Sequence, residues 1–438
     1  MNTKPSKGMR DFLPEQVRRR EFVIGVIKSV YEKYGFEPLE TPSIENLSTL
    51  TNKYGEEGDQ LIFKILKRGE KLEKELKEGI ITDEEQLSDL ALRYDLTVPL
   101  ARVIANYKNE LPKFFRRYQI QPVWRADRPA KGRFREFYQC DVDAIGSKSI
   151  LVEADLCAAV TDILKSLGFE YFEIRVNHRE ALKFLIEKAG IPSANAPAAL
   201  VSLDKIDKIG SEKVLLEMIS RGIDARSAET FLNLAATEDS DSILALLKGN
   251  VAEEDIRTLL ELNLTSPLKL DLTLARGISY YTGMIFEVVL TDGDFTGSIA
   301  GGGRYDGLIG MFGKEDIPAA GISLGLERIL FVMEAREMFP KNIEKRSADV
   351  LVAQFNKESL LQNISLANFL RSAGIRVLIY PQADKLGKQF AYADQIGVEW
   401  VLILGESEIA ENKITLKNML SGTQETVVIE DAVKLLTQ

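Results

Sequence analysis

Histidine and cysteine are scarce in this 438-residue sequence, which contains one histidine, His178, and two cysteines, Cys140 and Cys157. A single histidine excludes a histidine pair and a zinc site built from several histidines. Two cysteines cannot form a disulfide framework, and they favour a reducing, cytoplasmic setting. We therefore expect the chemistry to use arginine, lysine, carboxylate, tyrosine and backbone groups, and we expect His178 to have a structural role.

Long apolar runs are also absent. No stretch approaches the roughly 20 residues that a membrane span requires, and the N-terminal MNTKPSKGMRDFLPEQ lacks the apolar core of a signal peptide. No G-x-x-x-x-G-K-[ST] motif is present, because Glu315 follows Gly313-Lys314 and the upstream glycine is missing. A P-loop nucleotide site is thereby excluded. The net charge of −10 argues against nucleic-acid binding over the whole surface, but it is compatible with a local basic channel.

Hydrophobic periodicity divides the chain, whose length predicts two or three domains. A helical pattern runs from Pro14 to Tyr34, and the highly charged residues 64–90 are typical of a solvated hairpin or insertion. Residues 179–264 are rich in Ala, Leu, Ile and Glu at helical spacing, which predicts a helical insertion. After the charged residues 336–348, strand patterns alternate with helical ones and predict a compact α/β domain over 349–438.

Basic residues are concentrated between Lys113 and Arg135, where eight positive side chains accompany one acid, Asp127. Arginine forms bidentate contacts with phosphate, so several arginines at one site indicate a polyanionic ligand. Two antiparallel strands, QIQPVWRA and EFYQCDVDAIG, are predicted on either side of a basic Pro/Gly loop. Strand alternation groups their inward-facing residues as Gln119, Gln121, Val123 and Arg125 on the first strand and Phe137, Gln139, Asp141 and Asp143 on the second. We expect one cleft lined by both sets; the alternative is a solvated basic hairpin.

Three further segments carry candidate residues. In LARGISYYTG, Arg276 is a candidate cation for a reacting phosphate, and the paired tyrosines either contact a polar ring or pack in the core. The glycines at 301–303 predict a bulge or tight turn that allows close backbone approach to a neighbour, or a direct ligand contact. In GLERIL, a strand enters a helix at Glu327 and Arg328, which either pair at the surface or meet a ligand.

In this order, the segments resemble class II aminoacyl-tRNA synthetases and, within that class, histidyl-tRNA synthetases. KGMRDFLPEQ, with the helix after it and Pro42, resembles the first class motif. FRRYQIQPVWRADRPAKGRFREFYQCDVD resembles the second motif, and GISLGLERIL resembles the third. LARGISYYTG and AGGGRYDGL resemble the two segments peculiar to the histidine enzymes. The C-terminal region is similar to the anticodon-binding domain of the histidine, threonine, proline and glycine enzymes.

The resemblance implies an α+β fold. It places an antiparallel-sheet catalytic domain at 1–335 with the helical insertion at about 179–264, a linker at 336–348 and an anticodon-binding α/β domain at 349–438. The implied activity is that of a histidine–tRNA ligase, which activates L-histidine with ATP, releases pyrophosphate and transfers histidine to the 3′-terminal ribose of its tRNA. Mg²⁺ is implied to accompany ATP, with no metal site on the protein, and the enzyme is implied to be a cytoplasmic homodimer without membrane contact.

The resemblance also implies residue roles. The catalytic residues would be Arg276, Arg125 and Asp95. The histidine-binding residues would be Asp95, Leu96, Thr97, Arg125, Gln139, Asp143, Arg276, Tyr280 and Tyr281. The ATP-binding residues would be Arg125, Arg133, Glu136, Phe137 and Arg328. The chain departs from the family pattern Arg-Gly-Leu-Asp-Tyr-Tyr, because Ile278 and Ser279 precede its tyrosines.

Two other functions stay open at this point: a non-catalytic, synthetase-like regulator, and a class II ligase for another amino acid. The presence of Arg125, Arg133, Arg276 and Arg328 counts against the regulator. The paired tyrosines and Gln139 count against another amino acid.

Overall fold

The computed structural model describes most of the chain, namely residues 3–51, 58–78, 81, 84–130, 132–263, 265–276, 281–293, 295–313, 315–340, 343 and 348–437. Its contacts divide into two units, one formed by Met1–Phe12 with Arg20–Met338 and the other by Leu13–Arg19 with Phe339–Gln438. Within the described residues, no helix combines the length and apolar character needed to cross a membrane.

The first unit is built on a large mixed sheet. Its strands are β1 (Glu37–Pro38), β5 (Phe115–Trp124), β6 (Glu136–Ile145), β7 (Phe172–His178), β8 (Leu268–Leu270), β9 (Met284–Leu290), β10 (Ser298–Arg304) and β11 (Ala319–Gly325). Their order is β1-β5-β6-β11-β10-β9-β7-β8. The six central strands are antiparallel to their neighbours, and the two short edge strands pair in parallel. The predicted antiparallel sheet is therefore confirmed.

Strands β5 and β6 form the predicted antiparallel pair around the basic loop. They are ten residues long each, and their register runs from Phe115 opposite Ile145 to Trp124 opposite Glu136. Because side chains alternate along a strand, Gln139, Asp141 and Asp143 lie on one face of β6. This pair fixes the carboxylates of β6 relative to the arginine at the end of β5.

The described part of the highly charged residues 64–90 contains the predicted hairpin, together with a helix that the charge pattern did not predict. Strands β3 (Lys64–Leu66) and β4 (Ser88–Leu92) are antiparallel, with helix α3 (Glu70–Glu78) between them. Strand β2 (Ile44–Asn46) pairs with β4 and completes a three-stranded sheet.

Helices of the first unit cover and extend the large sheet. Outside the insertion they are α1 (Pro14–Lys33), which begins in the second unit's residues, α2 (Leu47–Leu50), α4 (Thr97–Tyr107), α5 (Leu151–Ser166), α13 (Gly307–Gly310) and α14 (Leu326–Ala335). The insertion contains α6 (Arg179–Lys188), α7 (Ala196–Leu203), α8 (Ile206–Ile209), α9 (Ser211–Ser220), α10 (Ala225–Ala235), α11 (Ser240–Leu246) and α12 (Val251–Leu262). The predicted helical character of the insertion is confirmed, and its helices lie between Arg179 and Leu262.

His178 has the structural role expected of it. It ends β7 and caps α6, because its Nδ1 accepts a hydrogen bond from the Glu180 backbone at 3.1 Å. With Nδ1 as acceptor, Nε2 carries the proton and donates to Asp255 of α12 at 3.1 Å. The lone histidine thus joins the insertion to the sheet and is not at the candidate site.

The prediction of a tight turn at the glycines 301–303 is wrong, because these residues lie inside strand β10. The predicted close approach of neighbouring backbone is confirmed at two of them. A Cβ atom at Gly302 would meet the carbonyl oxygen of Gly321 at 2.1 Å, and one at Gly303 would meet the carbonyl oxygen of Met284 at 2.5 Å. The neighbouring backbone is therefore too close to allow a side chain at either position. Gly301 has more room, since its nearest neighbours would be 3.5 Å away or more.

The second unit contains a five-stranded sheet of order β13-β12-β14-β15-β16. Its strands are β12 (Val350–Val352), β13 (Val377–Ile379), β14 (Trp400–Ile403), β15 (Lys413–Asn418) and β16 (Gln424–Val428). Its helices are α15 (Leu360–Ser372), α16 (Leu386–Gln395), α17 (Glu406–Glu411) and α18 (Ile429–Leu436). Apolar side chains pack on both faces of this sheet, as expected for an α/β domain.

Candidate active site

One large cleft lies over the face of the large sheet and has a volume of about 890 Å³. Its floor is formed by β6, β10 and β11, and its lining includes ten of the thirteen residues proposed from the sequence. These ten are Asp95, Thr97, Arg125, Arg133, Phe137, Gln139, Asp143, Arg276, Tyr281 and Arg328. The fold therefore brings together residues from five separate sequence segments.

Arg125 follows β5, and its side chain contacts Tyr94 and Phe137. Its Nε donates to the carbonyl oxygen of Tyr94 at 3.1 Å. Its guanidinium carbon lies 4.4 Å from the centroid of the Tyr94 ring and 5.3 Å from that of Phe137. These contacts orient the planar fork while leaving it at the cleft, which suits recognition of an anion.

The carboxylates on the cleft floor are buried. Asp143 pairs with the fully buried Arg117 at 2.8 Å and accepts a hydrogen bond from the Tyr305 hydroxyl. Burial raises the pKa of Asp143, whereas Arg117 and Tyr305 lower it. The pKa of Asp141 is raised to about 7: burial is the largest cause, Arg117 opposes it, and the negative charge of Asp143 adds to it. The floor therefore offers acceptors for a cationic or hydrogen-bonding ligand.

Gln139 lies beside these carboxylates. Its Nε2 donates to the Ser323 hydroxyl at 3.1 Å, while its buried Oε1 has no donor among the described residues. An unpaired buried acceptor is costly unless a ligand supplies the missing hydrogen bond. Gln139 is thus prepared to bind an N–H group.

Arg276 precedes β9 and pairs with Glu287 on that strand. Its Nη2 lies 2.6 Å from Glu287 Oε1, and its side chain remains 42% exposed. A Cβ atom at Gly301 would lie 3.6 Å from Arg276 Nη1, so the absence of a side chain there leaves space beside the guanidinium. Arg276 is therefore anchored at one nitrogen and accessible to a ligand.

Arg328 and Arg133 supply two further cations. Arg328 Nη1 donates to the Ser298 carbonyl at 2.5 Å, and Arg133 pairs with Asp127 at 2.7 Å. Burial lowers the pKa of Arg328, and the positive charge of Arg276 lowers it further. Positive charges held this close together favour binding of a polyanion, which relieves their repulsion.

Three of the sequence-based candidates are not in the cleft lining that the structure describes. Leu96 is buried, and its carbonyl accepts a hydrogen bond from Arg117 at 3.3 Å. Glu136 is exposed at the first position of β6. Tyr280, and with it the Ile278-Ser279 departure, lies outside the described residues.

Gln119 and Gln121 do not face the cleft either, contrary to the alternation argument. Gln119 Nε2 donates to the Thr41 hydroxyl at 2.9 Å and to Gln121 Oε1 at 2.7 Å. The fully buried Arg93 also donates to Gln121 Oε1, at 2.9 Å. The β1–β2 connection covers this face of β5, which sequence alternation alone does not reveal.

The cleft also contains residues to which the sequence-based assignment gave no role, namely Tyr94, Asp141, Asp204, Lys208 and Glu327. Alternation had already grouped Asp141 with the three chosen residues of β6, and it does line the cleft. Asp204 and Lys208 come from the insertion, and no local pattern indicates that they reach the cleft. The interpretation of Glu327 and Arg328 as a surface pair is wrong, since Glu327 pairs with Arg10 and is 8% exposed.

An antiparallel sheet that carries several arginines and buried carboxylates in one cleft, without a P-loop, defines the catalytic domain of a class II aminoacyl-tRNA synthetase. A family model described as histidyl-tRNA synthetase matches residues 8–329, and one described as anticodon binding domain matches residues 349–438. The chain belongs to the histidyl-tRNA synthetase family.

Individual relatives agree with this assignment over the full length. The chain is 42% identical to the histidine–tRNA ligase of Flavobacterium johnsoniae, with 100% of both chains covered. It is 40% identical to that of Bacteroides fragilis, again with 100% of both covered. Among solved structures, the histidyl-tRNA synthetase from Nostoc sp. PCC 7120 superimposes with a TM-score of 0.81 at 31% identity, covering 100% of this chain and 99% of that one.

Proposed function

We propose that this protein is a histidine–tRNA ligase, which activates L-histidine with ATP and transfers it to the 3′-terminal ribose of its tRNA. The observation that carries this proposal is the convergence of Arg125, Arg133, Arg276 and Arg328 on one cleft whose floor bears buried carboxylates. The full-length relatives named histidine–tRNA ligase support it.

Activation is the attack of the histidine carboxylate on the α-phosphate of ATP, with pyrophosphate as leaving group. The attacking oxygen is already an anion, so this step needs no general base. Its requirements are alignment of the reactants and neutralisation of the growing phosphate charge. We assign Arg125 and Arg276 to the carboxylate and α-phosphate, Arg133 and Arg328 to the outer phosphates, and Phe137 to stacking on adenine.

Histidine would bind over the cleft floor. We assign Gln139 and Asp95 to its amino group, with Thr97 beside them, and Asp143 and Tyr281 to the imidazole. A site whose buried polar groups require hydrogen bonds rejects apolar substrates strongly, because those groups are left unpaired. In the transfer step, Asp95 or the adenylate phosphate is the candidate base for the ribose hydroxyl.

Mg²⁺ is proposed to enter with ATP. The described part of the chain contains no group of three or more His, Cys, Asp or Glu side chains that could hold an ion. Glu287 pairs with Arg276, and the cleft residue Glu327 pairs with Arg10. We assign no metal ligand to the protein.

The remaining parts of the proposal concern tRNA, assembly and compartment. We assign 1–335 to catalysis, 336–348 to a linker and 349–438 to the anticodon. The presence of Asp204 and Lys208 in the cleft lining supports a contact of the insertion with the acceptor end of the tRNA. We also propose a homodimer, on the resemblance of the N-terminal segment to the first class motif. A cytoplasmic setting is supported by the two cysteines, which are free and buried.

The direct test is ATP–pyrophosphate exchange measured with histidine and, in parallel, with each of the other amino acids. Exchange that depends on histidine alone is the expected result. Folded protein without any exchange would favour a regulator instead, and exchange with another amino acid would reassign the substrate.

A further inference from the structure

The N-terminal residues Lys7–Phe12 lie directly on the basic loop between β5 and β6. The Gly8 carbonyl accepts a hydrogen bond from the Arg135 backbone at 2.9 Å. Gly8 has a φ of +85°, and a Cβ atom there would lie 2.7 Å from Arg135 Cγ and 3.0 Å from Pro129 Cγ. Only glycine allows this approach, so the segment is packed against the loop without an intervening side chain.

Arg10 is the residue of this segment that contacts the cleft walls. Its guanidinium carbon lies 3.4 Å from the centroid of the Phe134 ring and 4.7 Å from that of Phe12. Its Nη2 donates to Glu327 Oε2. Phe134 belongs to the basic loop and Glu327 to the start of α14, and both line the cleft.

Glu327 is a carboxylate that lines the cleft in which we propose that phosphate groups bind. It immediately precedes Arg328 and is 8% exposed, and its Oε1 is buried without a donor in the described part of the chain. A buried carboxylate without a partner seeks the nearest cation. The next residue in sequence is Arg328, one of the cleft arginines that we assign to phosphate.

We infer that Arg10 is a positioning residue for the ATP site, which neutralises Glu327 and stacks on Phe134 so that Arg328 stays available to the phosphates. This inference rests on the proposed ligase function and adds a residue to it. Arg10 itself touches Phe134 and Glu327 rather than the reacting atoms. Its effect should therefore appear in ATP use and not in histidine use.

The contacts of Arg328 support the inference that Arg10, and not Arg328, neutralises Glu327. Its guanidinium donates to the Ser298 carbonyl and hydroxyl, the latter at 3.2 Å, and not to Glu327. Burial and then Arg276 lower its pKa, while the raising influence comes from Glu287. Arg328 is thus not neutralised by the acid next to it in sequence.

The test compares Arg10→Met, Glu327→Gln and the double variant by histidine-dependent ATP–pyrophosphate exchange. Arg10→Met should raise the KM for ATP about tenfold, the scale expected of coupled neighbours, with the KM for histidine within about twofold of the parent. Adding Glu327→Gln should recover much of this loss, because the unpaired carboxylate is then gone. Arg19→Met is the matched control: Arg19 likewise pairs with a glutamate, at 2.7 Å, and lies 5.1 Å from a phenylalanine ring centroid, but it does not line the cleft.

The parent protein is measured in the same assay, so a failure of the proposed ligase function can be distinguished from a failure of the proposed role of Arg10. No histidine-dependent exchange by the parent would overturn the ligase function. An active parent, with an ATP KM in Arg10→Met equal to that of the Arg19→Met control, would overturn the role of Arg10. Strictly additive effects of Arg10→Met and Glu327→Gln would do the same, and a lower melting temperature without a change in the ATP KM would reduce Arg10 to a stabilising contact.

Discussion

Arg117 and Asp143 form an ion pair of 2.8 Å in which the arginine side chain is fully buried and the aspartate is 4% exposed. Arg117 also donates to Gln119 Oε1 at 3.1 Å and to the Leu96 carbonyl at 3.3 Å. One arginine thus connects the cleft floor to the segment that carries Asp95. Although it belongs to the basic stretch, Arg117 is structural and not available to phosphate.

Replacing Arg117 should destabilise the first unit strongly. Arg117→Met leaves the buried Asp143 carboxylate without its cation, and such losses typically cost about 3–5 kcal/mol. Urea unfolding at pH 8, followed by circular dichroism, measures the change. Arg116→Met is the neighbouring control, because Arg116 pairs with Asp155 where both side chains are about one-third exposed; we expect it to cost no more than about 1 kcal/mol. Equal costs for the two variants would contradict the burial argument.

Asp141 should make stability depend on pH. Its pKa is raised from 3.8 to about 7, so between these values the unfolded chain has released a proton that the folded protein retains. Stability attributable to Asp141 therefore falls as pH rises through this window. Asp141→Asn removes the effect, and its stability relative to the parent should grow by about 1–3 kcal/mol between pH 5 and pH 8.

The measurement for Asp141 is urea unfolding of the parent and Asp141→Asn at pH 5, 6, 7 and 8. Asp155→Asn serves as control, since this carboxylate is partly exposed and paired at the surface; its effect should be small at every pH. A stability difference for Asp141→Asn that does not change with pH would show that the carboxylate is ionised throughout.

Arg276→Ala should abolish amino-acid activation without unfolding the protein. The guanidinium is 42% exposed, so its loss leaves little buried void, and the main cost to stability comes from the buried Glu287, which loses this cation. Removal of a charge that stabilises a transition state costs about 10²–10³ in rate. Pre-steady-state formation of the adenylate gives the rate, and sedimentation velocity checks that assembly is unchanged. Near-normal turnover would remove Arg276 from the catalytic residues.

Deleting residues 349–438 should separate the two steps of the proposed reaction. Histidine-dependent exchange uses the cleft of the first unit and should persist, whereas charging of tRNA should fall sharply because the anticodon contact is lost. Both activities are measured on the same preparation. Parallel loss of both would argue against an anticodon module that is separable from catalysis.

Sequence patterns predicted correctly those elements whose structure depends on residues close to them along the chain. The β5–β6 pair follows from alternation on both sides of a short basic loop, and α1 begins at Pro14 as predicted. The entry of β11 into α14 is also confirmed. Each of these elements depends on contacts within about 30 residues, so the pattern contains the needed information.

Local sequence failed where distant segments decide the environment. The glycines 301–303 have the composition of a turn, but they lie in a strand that pairs with both β9 and β11. The neighbouring backbone excludes side chains at Gly302 and Gly303. Gln119 and Gln121 alternate correctly and still miss the cleft, because Thr41 and Arg93 cover that face. In both cases, the residues that decide the environment are distant in sequence from the residues affected.

The sequence alone determined the residue types, the order of the strands and helices and the family that they resemble, because motif spacing and periodicity are properties of the chain itself. The tertiary structure decided which charges are free to bind. Arg117 is neutralised by Asp143 and Glu327 by Arg10, whereas Arg125 and Arg276 remain at the cleft. Burial and charge pairing depend on residues that are far apart in sequence, and these two quantities set the energy of a charged group.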